Sequence, residues 1–161
     1  MTACGQTCRR RGDVVPEIVV APTTAEHVAR LELRPADAAE VAAFGLTRDE
    51  ALQDSVARSI WSETWLVDGV PAAIVGLGRS ALIGGHGVPW MLTGPACDRH
   101  RKRFLIESRR QVERMHREAA PLINYVHAEH RRAIRWLEWL GFTLEPARPL
   151  ARGRFHRFTL T

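Results

Sequence analysis

The sequence of 161 residues predicts one α/β domain built around a mixed β-sheet with flanking helices. Asp68-Gly69, the preferred residue pair of a two-residue hairpin turn, interrupts the apolar run 65–75 and predicts two antiparallel strands there. Farther along the chain, strand patterns at 88–92 and 122–126 flank a helical pattern, which is the order of a parallel strand–helix–strand crossover. A sheet that contains both kinds of pairing is mixed.

The segment before the hairpin predicts a first strand and two short helices. Residues 17–20 form a β-branched run that is typical of a strand. Thr23 and Glu26 have the spacing of a capping box, so we expect Thr23 to cap the first helix. Pro35 suits the first position of a second helix, and Gly45 suits its end, because glycine accepts the left-handed backbone that often follows a helix.

A third helix is predicted to begin after Thr47, where Thr47 and Glu50 repeat the capping box. Leu52, Val56 and Ile60 then recur at helical spacing. This spacing predicts a helix that carries all three residues on one face.

The fourth predicted strand, 88–92, contains a proline. Pro89 has no N–H group to donate to a ladder, so it predicts either a bulge or an unpaired position. A long helix is predicted after Gly94-Pro95 from residues at helical spacing, namely Phe104, Ser108, Val112 and Met115. The remaining predicted elements are a strand at 122–126, a helix at 130–140 stopped by Gly141, and strands at 142–144 and 154–160.

The positive charge of the chain suits either phosphate-rich partners or solubility. The formal net charge is +5 and the pI is about 10.0, which favours contact with DNA or with a nucleotide cofactor. The alternative is that the basic residues, which are spread over several helices, serve only solubility. Residues 1–15 are polar and basic and predict an N-terminal arm, which leaves 16–161 as the domain.

The cysteines and the hydropathy of the chain predict neither a disulfide framework nor a membrane segment. The chain has three cysteines, Cys4, Cys8 and Cys97. Because their number is odd and their spacing irregular, we expect reduced thiols. Cys4 and Cys8 have no second pair of zinc ligands at a matching spacing, so no metal site is predicted. No apolar run follows the basic N-terminus or reaches the length of a membrane span, so we expect no secretory signal and no span.

The last third of the chain resembles a known signature. His130, Ala133 and Ile134, followed by Gly141-Phe142, are similar to the C-terminal signature of the GCN5-related N-acetyltransferases (GNAT), Asn-x-x-Ala-Ile followed by Gly-Phe. Ala133 lets the helix lie close to the sheet, Gly141 supplies a left-handed helix end, and Phe142 fills the core. The resemblance implies the GNAT fold, in which the fourth and fifth strands splay apart, and acetyl-CoA as the cofactor.

A second resemblance covers most of the domain. GNAT-like proteins of tailed phages, labelled internal virion protein or phage acetyltransferase, are similar to the stretches 82–92, 104–114, 124–128, 135–144 and 155–158. This resemblance implies a bacteriophage origin and a location in the virion or the host cytoplasm. It favours a virion structural, assembly or ejection component with reduced acyl-CoA chemistry, whose partners are other virion proteins. The alternative is an active acetyl-CoA-dependent N-acetyltransferase that modifies an amine of a host or phage protein.

The GNAT resemblance also implies where acetyl-CoA binds. In the family, backbone N–H groups at a helix N-terminus after the fourth strand hold the pyrophosphate, in the pattern Gln/Arg-x-x-Gly-x-Gly/Ala. The matching stretch is 99–104, where Lys102 and Phe104 replace both small residues and predict a less open cradle. The residues implied in cofactor binding are Trp90, Met91, Leu92, Arg99, Lys102, Arg103 and Phe104.

The resemblance implies a proton donor and a proton acceptor as well. The family's tyrosine on the signature helix corresponds to Leu137, which cannot transfer a proton. The one tyrosine of the chain, Tyr125, lies on the fifth predicted strand and is a candidate for proton transfer, with core packing as the alternative. Glu129 and His127, just past that strand, and His86 in the glycine-rich loop are candidate bases. Their alternative roles are a surface carboxylate, a capping histidine and a loop histidine.

Overall fold

The computed structural model describes residues 18–161. The predicted N-terminal arm, 1–15, lies outside these residues, and so do Cys4 and Cys8. The strands are β1 (Ile18–Pro22), β2 (Ser59–Val67), β3 (Val70–Arg79), β4 (Gly87–Thr93), β5 (Leu122–His127), β6 (Thr143–Leu144), β7 (Arg148–Leu150) and β8 (Gly153–Leu160). The helices are α1 (Ala25–Arg30), α2 (Pro35–Ala43), α3 (Arg48–Ala57), α4 (Ala96–Arg99), α5 (Arg101–Ala119) and α6 (Arg131–Trp139).

The strands form one sheet in the order β1-β2-β3-β4-β5-β8-β6, and β7 pairs with β8. β4 and β5 are parallel, whereas the other neighbouring strands are antiparallel. The long helix α5 connects the two parallel strands, as the order of the sequence patterns predicts. The mixed α/β architecture predicted from the sequence is confirmed, and β7 is an additional strand that the pattern did not indicate.

Local residue chemistry predicts the ends of two helices correctly. α2 begins at Pro35, and Gly45, just past its end, has φ +81°. The side chain of Thr47 accepts from the N–H of Glu50, and the Glu50 side chain accepts from the N–H of Thr47. Both features satisfy backbone groups that a helix leaves without partners at its ends.

The predicted capping residue of α1 is wrong by one position. Thr24, not Thr23, caps the helix, and its partner in the capping box is His27. The N–H of Thr23 still donates to the Ser62 carbonyl of β2 at 3.1 Å, so the chain leaves the sheet one residue later than the motif indicates.

The predicted hairpin is confirmed, and the strand before it is longer than expected. Asp68 and Gly69 have φ of 51° and 75°, as a type I′ turn requires. The prediction that Ile60 lies on the third helix is wrong, because β2 already begins at Ser59. Ile60 falls at a register shift between β2 and β3 and is 52% exposed. Pairing with β3 satisfies the backbone of this segment better than another helical turn would.

The two faces of the sheet carry separate apolar clusters. The cluster beneath α5 and α6 includes Trp65, Val67, Ala73, Val75, Leu77, Met115, Leu122, Val126, Leu137, Phe142 and Phe158. The cluster on the face of α1 and α3 is smaller and consists of Leu31, Leu52 and Ile74, with Trp90 and Leu92 packed against it. Because side chains alternate along a strand, Met91 packs on the first face. β4 therefore contributes to both cores.

We expect Gly76→Ala to lower the free energy of unfolding by about 1–3 kcal/mol, because the Trp90 ring lies against this glycine and has to move. A Cβ at Gly76 would lie 2.6 Å from Cε2 and Nε1 of Trp90. The ring is held in place, since its Nε1 donates to Ser59 Oγ at 2.7 Å. Urea denaturation measures the loss. In a Trp90→Ala background the same substitution should cost much less, and an equal cost in both backgrounds would contradict the explanation.

Candidate active site

The parallel pairing of β4 and β5 stops after one residue pair. Gly87 lies opposite Leu122, and the Gly87 N–H donates to the Pro121 carbonyl at 3.0 Å. The next donor that β4 would offer to β5 belongs to Pro89, which has no N–H group. β3 and β4 pair across the same positions without a register shift. The bulge expected as one alternative at Pro89 is therefore wrong, and the unpaired position is right only on the side of β5, because Pro89 lies opposite Leu77 of β3.

The side chain of Asn124 lies between the diverging strands and replaces a backbone hydrogen bond. Its Nδ2 donates to the Pro89 carbonyl at 2.9 Å, and its Oδ1 accepts from the N–H of Tyr125 at 2.9 Å. In a continued parallel ladder the Tyr125 N–H would donate to the Pro89 carbonyl directly. Asn124 therefore satisfies both backbone groups while the strands stay apart.

At the open end of the gap, two carboxylates of α2 each bind the end of one strand. Asp37 Oδ1 accepts from the N–H and from the Oγ1 hydroxyl of Thr93, the last residue of β4, both at 2.9 Å. Glu40 Oε2 accepts from the N–H of His127, the last residue of β5, at 3.1 Å. Because residues three apart are neighbours on a helix surface, one face of α2 holds both strand ends.

One backbone donor of β4 remains free in this gap. Alternate N–H groups of a strand point to the same side, and those of Gly87 and Thr93 point away from β3. The N–H of Met91 therefore points into the gap, beyond the one residue pair that β4 forms with β5 in the described part of the chain, and we infer that it is free. A free N–H group between diverging strands is suited to binding a carbonyl oxygen.

The gap opens into a cavity of about 800 Å³, which is within the usual range for small-molecule sites. β4 and β5 form part of its wall, α5 and α6 line it from one face of the sheet, and α2 and α3 line it from the other. The separation of the strands thus gives both faces of the sheet access to one site.

The structure brings some of the predicted cofactor residues together and leaves others apart. Those that line the cavity are Trp90, Met91, Leu92 and Phe104. Arg99, Lys102 and Arg103 do not line it, and their side chains are exposed at the N-terminal end of α5 and just before it. Their part in cofactor binding stays a prediction.

The candidate proton-transfer residues are also divided. Tyr125 lines the cavity, whereas His127 and Glu129 do not. The His127 ring packs against Phe155 with 5.1 Å between ring centroids, and Glu129 is exposed. His86 is hydrogen-bonded within the loop that joins β3 to β4. The catalytic roles of Tyr125, His127 and Glu129 stay predictions.

Glu40 and His130 form a pair on the cavity wall that the sequence patterns did not identify. Nδ1 of His130 lies 3.0 Å from Oε2 of Glu40, and the His130 residue is 7% exposed. A signal for His130 was present, because it occupies the asparagine position of the GNAT signature. Nothing in the sequence marks Glu40, which precedes its partner by 90 residues.

A chain of ion pairs beside the cavity connects α2, α4 and α6. Arg34 pairs with Asp37 at 3.1 Å and with Asp98 at 3.3 Å, and Arg132 pairs with Asp98 at 2.6 Å. Burial opposes the ionisation of Asp98, but the hydrogen bonds and charges of Arg132 and Arg34 outweigh it and lower the pKa of Asp98. These pairs hold the N-terminal end of α2 in place.

The Cys97 thiol lies on the cavity wall and is protonated at neutral pH. Burial raises the pKa of Cys97 to about 12, and its Sγ donates to the Ala72 carbonyl at 3.0 Å. A thiol with such a pKa is a poor nucleophile, so Cys97 has a packing role.

No helix between residues 18 and 161 is long and apolar enough to cross a membrane. Over the same stretch, no group of three or more His, Cys, Asp and Glu side chains is placed so as to hold a metal ion.

Comparison with known proteins shows the fold of this chain. No family model and no curated protein matches the sequence. A candidate acetyltransferase of Acinetobacter baylyi ADP1 matches with a TM-score of 0.68 at 11% identity, over 91% of this chain and 93% of that one. A chain of the NatC complex bound to Gag peptide and CoA matches with a TM-score of 0.67 at 15% identity, over 89% and 98%.

A third similar structure was solved with a cofactor. It is yncA, a candidate acetyltransferase of Salmonella typhimurium with its cofactor acetyl-CoA, and its TM-score is 0.54 at 14% identity, over 89% of this chain and 93% of that one. At such identities the likeness establishes the GNAT fold, and the activity has to be argued from the site.

We expect Asn124→Ala to lower the free energy of unfolding by about 0.5–1.5 kcal/mol, because the partly buried bond to the Pro89 carbonyl and the exposed bond from the Tyr125 N–H are both lost. Urea denaturation measures this loss, and amide hydrogen exchange should become faster at Tyr125. Asn124→Asp keeps the acceptor for the Tyr125 N–H and should leave its exchange slow. Fast exchange in both variants, or in neither, would contradict the role given to Asn124.

We expect Cys97 to resist alkylation in the folded protein. In a Cys4→Ser/Cys8→Ser background at neutral pH, iodoacetamide should react at least about 100-fold more slowly than in urea-unfolded chain, because burial keeps the thiol protonated. Since the pKa is raised on folding, the associated stability is present below the pKa of the free thiol and is lost as pH rises toward 12.

The control for this experiment is an added Leu82→Cys substitution, because residue 82 is 98% exposed. The new thiol should react at the rate of an unfolded chain. Equally fast reaction of Cys97 in the folded protein would show that it is accessible and reactive.

Proposed function

We propose that this protein transfers an acyl group from an acyl-CoA to an amine. The observation that carries the proposal is the free Met91 N–H in a cavity lined from both faces of the sheet. An N–H group held in a fixed position binds the oxygen of an acyl group and draws electron density from its carbonyl carbon. A purely architectural role requires neither the gap nor the free donor.

The N-terminal end of α5 fits the phosphates of acyl-CoA. This end has no side-chain cap, so its first N–H groups are free, and its first turn contains no acidic residue. Arg99 and Lys102 add positive charge there. Phe104 packs against Trp65 and Trp136, with 5.4 and 5.7 Å between ring centroids. Lys102 and Phe104 stand where the family pattern has small residues, and the helix end that they form is basic and has no side-chain cap.

The remaining lining residues shape the chemistry that the cavity can support. Acyl-CoA, when bound, supplies a thioester whose carbonyl carbon is the electrophile. Leu137 provides an apolar wall where the family has a proton donor, and Tyr125 is the tyrosine that lines the cavity. Apolar walls strengthen the interaction of the Met91 N–H with a carbonyl oxygen, because they exclude water.

The acceptor is proposed to be an amine of a protein or of a small molecule. The NatC structure, by its description, contains a peptide together with CoA. In the present chain, Glu40 and Asp54 bring carboxylates to the side of the cavity formed by α2 and α3. A carboxylate on the cavity wall suits a cationic amine.

A virion structural, assembly or ejection role is the alternative, and it rests on the sequence resemblance to phage proteins. It would make other virion proteins the partners and the virion, rather than the host cytoplasm, the location. Mass spectrometry of purified virions tests it. Contact with DNA through the basic surface is a separate prediction, and a salt-dependent gel shift tests that.

Isothermal titration calorimetry with acetyl-CoA tests the proposed function. We expect a Kd of about 1–100 µM, in the range in which enzymes bind their substrates. Arg99→Glu combined with Lys102→Glu should weaken binding by about tenfold or more, because carboxylates at the α5 N-terminus repel phosphates. No heat at millimolar acetyl-CoA would refute acyl transfer.

The matched control is Arg117→Glu combined with Arg148→Glu. Both arginines are exposed, one in the last turn of α5 and the other at the start of β7, and the net charge changes by the same amount. This variant should bind acetyl-CoA with nearly the affinity of the unmodified chain. Equal weakening in both variants would assign the effect to overall charge and not to a phosphate site.

A further inference from the structure

We propose that Glu40 binds the ammonium group of the acceptor and takes its proton, and that His130 is the residue that positions Glu40. The proposal rests on the proposed transfer of an acyl group to an amine. It assigns the proton acceptor to a carboxylate of α2, in place of Glu129 or His127, which the sequence predicts.

The carboxylate of Glu40 has one occupied and one open oxygen. Oε2 accepts from the N–H of His127 at 3.1 Å and pairs with Nδ1 of His130 at 3.0 Å. Oε1 forms no hydrogen bond or ion pair with another residue in the described part of the chain. The Glu40 side chain is 20% exposed and lines the cavity. Its second oxygen is therefore available to a donor that enters the cavity.

His130 fixes the orientation of this carboxylate. A carboxylate only accepts hydrogen bonds, so Nδ1 of His130 carries the proton and donates it to Oε2. Nε2 of His130 is closed off from solvent and has no partner among the described residues. A nitrogen enclosed in this way does not meet a substrate, so the contribution of His130 is to hold Glu40.

Glu40 and the free N–H of Met91 face the same gap. Asp37, one helical turn before Glu40, binds Thr93, which is two residues beyond Met91 on β4. Two residues of a strand span about 7 Å, and residues three apart on a helix are separated by about 5–6 Å. An amine held by Glu40 is thus brought to the side of the gap where a carbonyl oxygen can be bound.

The other charged groups near Glu40 either have partners already or are not held by β5 at the gap. Both oxygens of Asp37 are occupied, one by Thr93 and one by Arg34. On the elements around α2, the other charged or titratable residues that line the cavity are Asp54 of α3, Arg58 just after α3, Tyr125 of β5 and Arg132 of α6. His127 of β5 contacts Glu40 through its backbone N–H. Glu40 is the carboxylate that combines an orientation fixed by β5 with a free oxygen at the gap.

The proton step is balanced without a further reactant. An N–H bond of the acceptor's ammonium group breaks, and its electron pair stays on nitrogen. An O–H bond forms at Oε1 of Glu40, so the positive and the negative charge are both neutralised. The product is a neutral amine, which is the nucleophile that acyl transfer needs.

The deciding experiment is NMR of the full ¹⁵N-labelled chain with n-butylammonium as the acceptor probe, with and without CoA. We expect millimolar n-butylammonium to shift the amide resonance of His127, which shares the Glu40 carboxylate. The shift should persist in Glu113→Gln, a matched change at an exposed residue of α5, and should be absent in Glu40→Gln. A shift that survives in Glu40→Gln, or none in the unmodified chain, would overturn the proposal.

The same spectra separate this proposal from the proposed function. CoA binding is read from the resonances of Met91 and of the first turn of α5. If the protein binds n-butylammonium at Glu40 but does not bind CoA, the result contradicts the proposed acyl transfer and not the assignment of Glu40. A chain that binds CoA and does not bind n-butylammonium through Glu40 would contradict the assignment of Glu40 alone.

An assay of acetyl transfer from acetyl-CoA to n-butylamine distinguishes the roles of Glu40 and His130. The rate is measured from the release of the CoA thiol. Glu40→Gln should lower kcat/KM by about 100-fold or more and remove the fall in rate at acidic pH. His130→Asn keeps an N–H donor for Glu40 and should retain most of the rate and its pH dependence, whereas His130→Leu should lose both. An equal loss of kcat/KM in the two His130 variants would overturn the positioning role of His130. A loss of kcat/KM in Glu129→Gln but not in Glu40→Gln would show that Glu129 is the base.

Discussion

The missing N–H group of Pro89 is the constraint on which this structure depends. A parallel ladder between β4 and β5 requires a donor at that position, so the pairing ends after one residue pair and the strands diverge. The backbone groups released by the divergence need partners, because unsatisfied polar groups are costly in the interior. Asn124 supplies them at the narrow end, and Asp37 and Glu40 supply them at the open end.

These replacement hydrogen bonds stabilise the gap in the sheet. Asp37 and Glu40 stand on one face of α2, and the ion pairs of Arg34 connect that helix to α4 and, through Asp98, to α6. The N–H of Met91 lies beyond the last residue pair of β4 with β5 in the described part of the chain and points into the gap. The same side chains therefore stabilise the fold and form the cavity wall.

The accuracy of the sequence predictions follows the range of the interactions involved. Asp68-Gly69 specifies its turn through backbone preferences of two adjacent residues, and Pro35 begins its helix for a similarly local reason. Predictions were wrong where the sheet competed with a helical motif. The N–H of Thr23 remains bonded to β2, and Ile60 lies in a strand although its spacing suits a helix. In both places a long-range backbone pairing outweighed a local pattern.

The sequence by itself predicted the mixed α/β fold and a local irregularity at Pro89, because the lack of an N–H group belongs to one residue; the structure decided that the irregularity is lost pairing with β5 and not a bulge. It also identified β4 residues that line the cavity. Only the tertiary structure decided which groups complete the gap: Asn124 lies 35 residues from Pro89, and Glu40 lies 90 residues from His130. The first contact forms because β4 and β5 begin as neighbours in the sheet, and the second because α2 packs across the ends of both strands. Hydrogen bonds between residues so far apart depend on this packing and not on any local pattern.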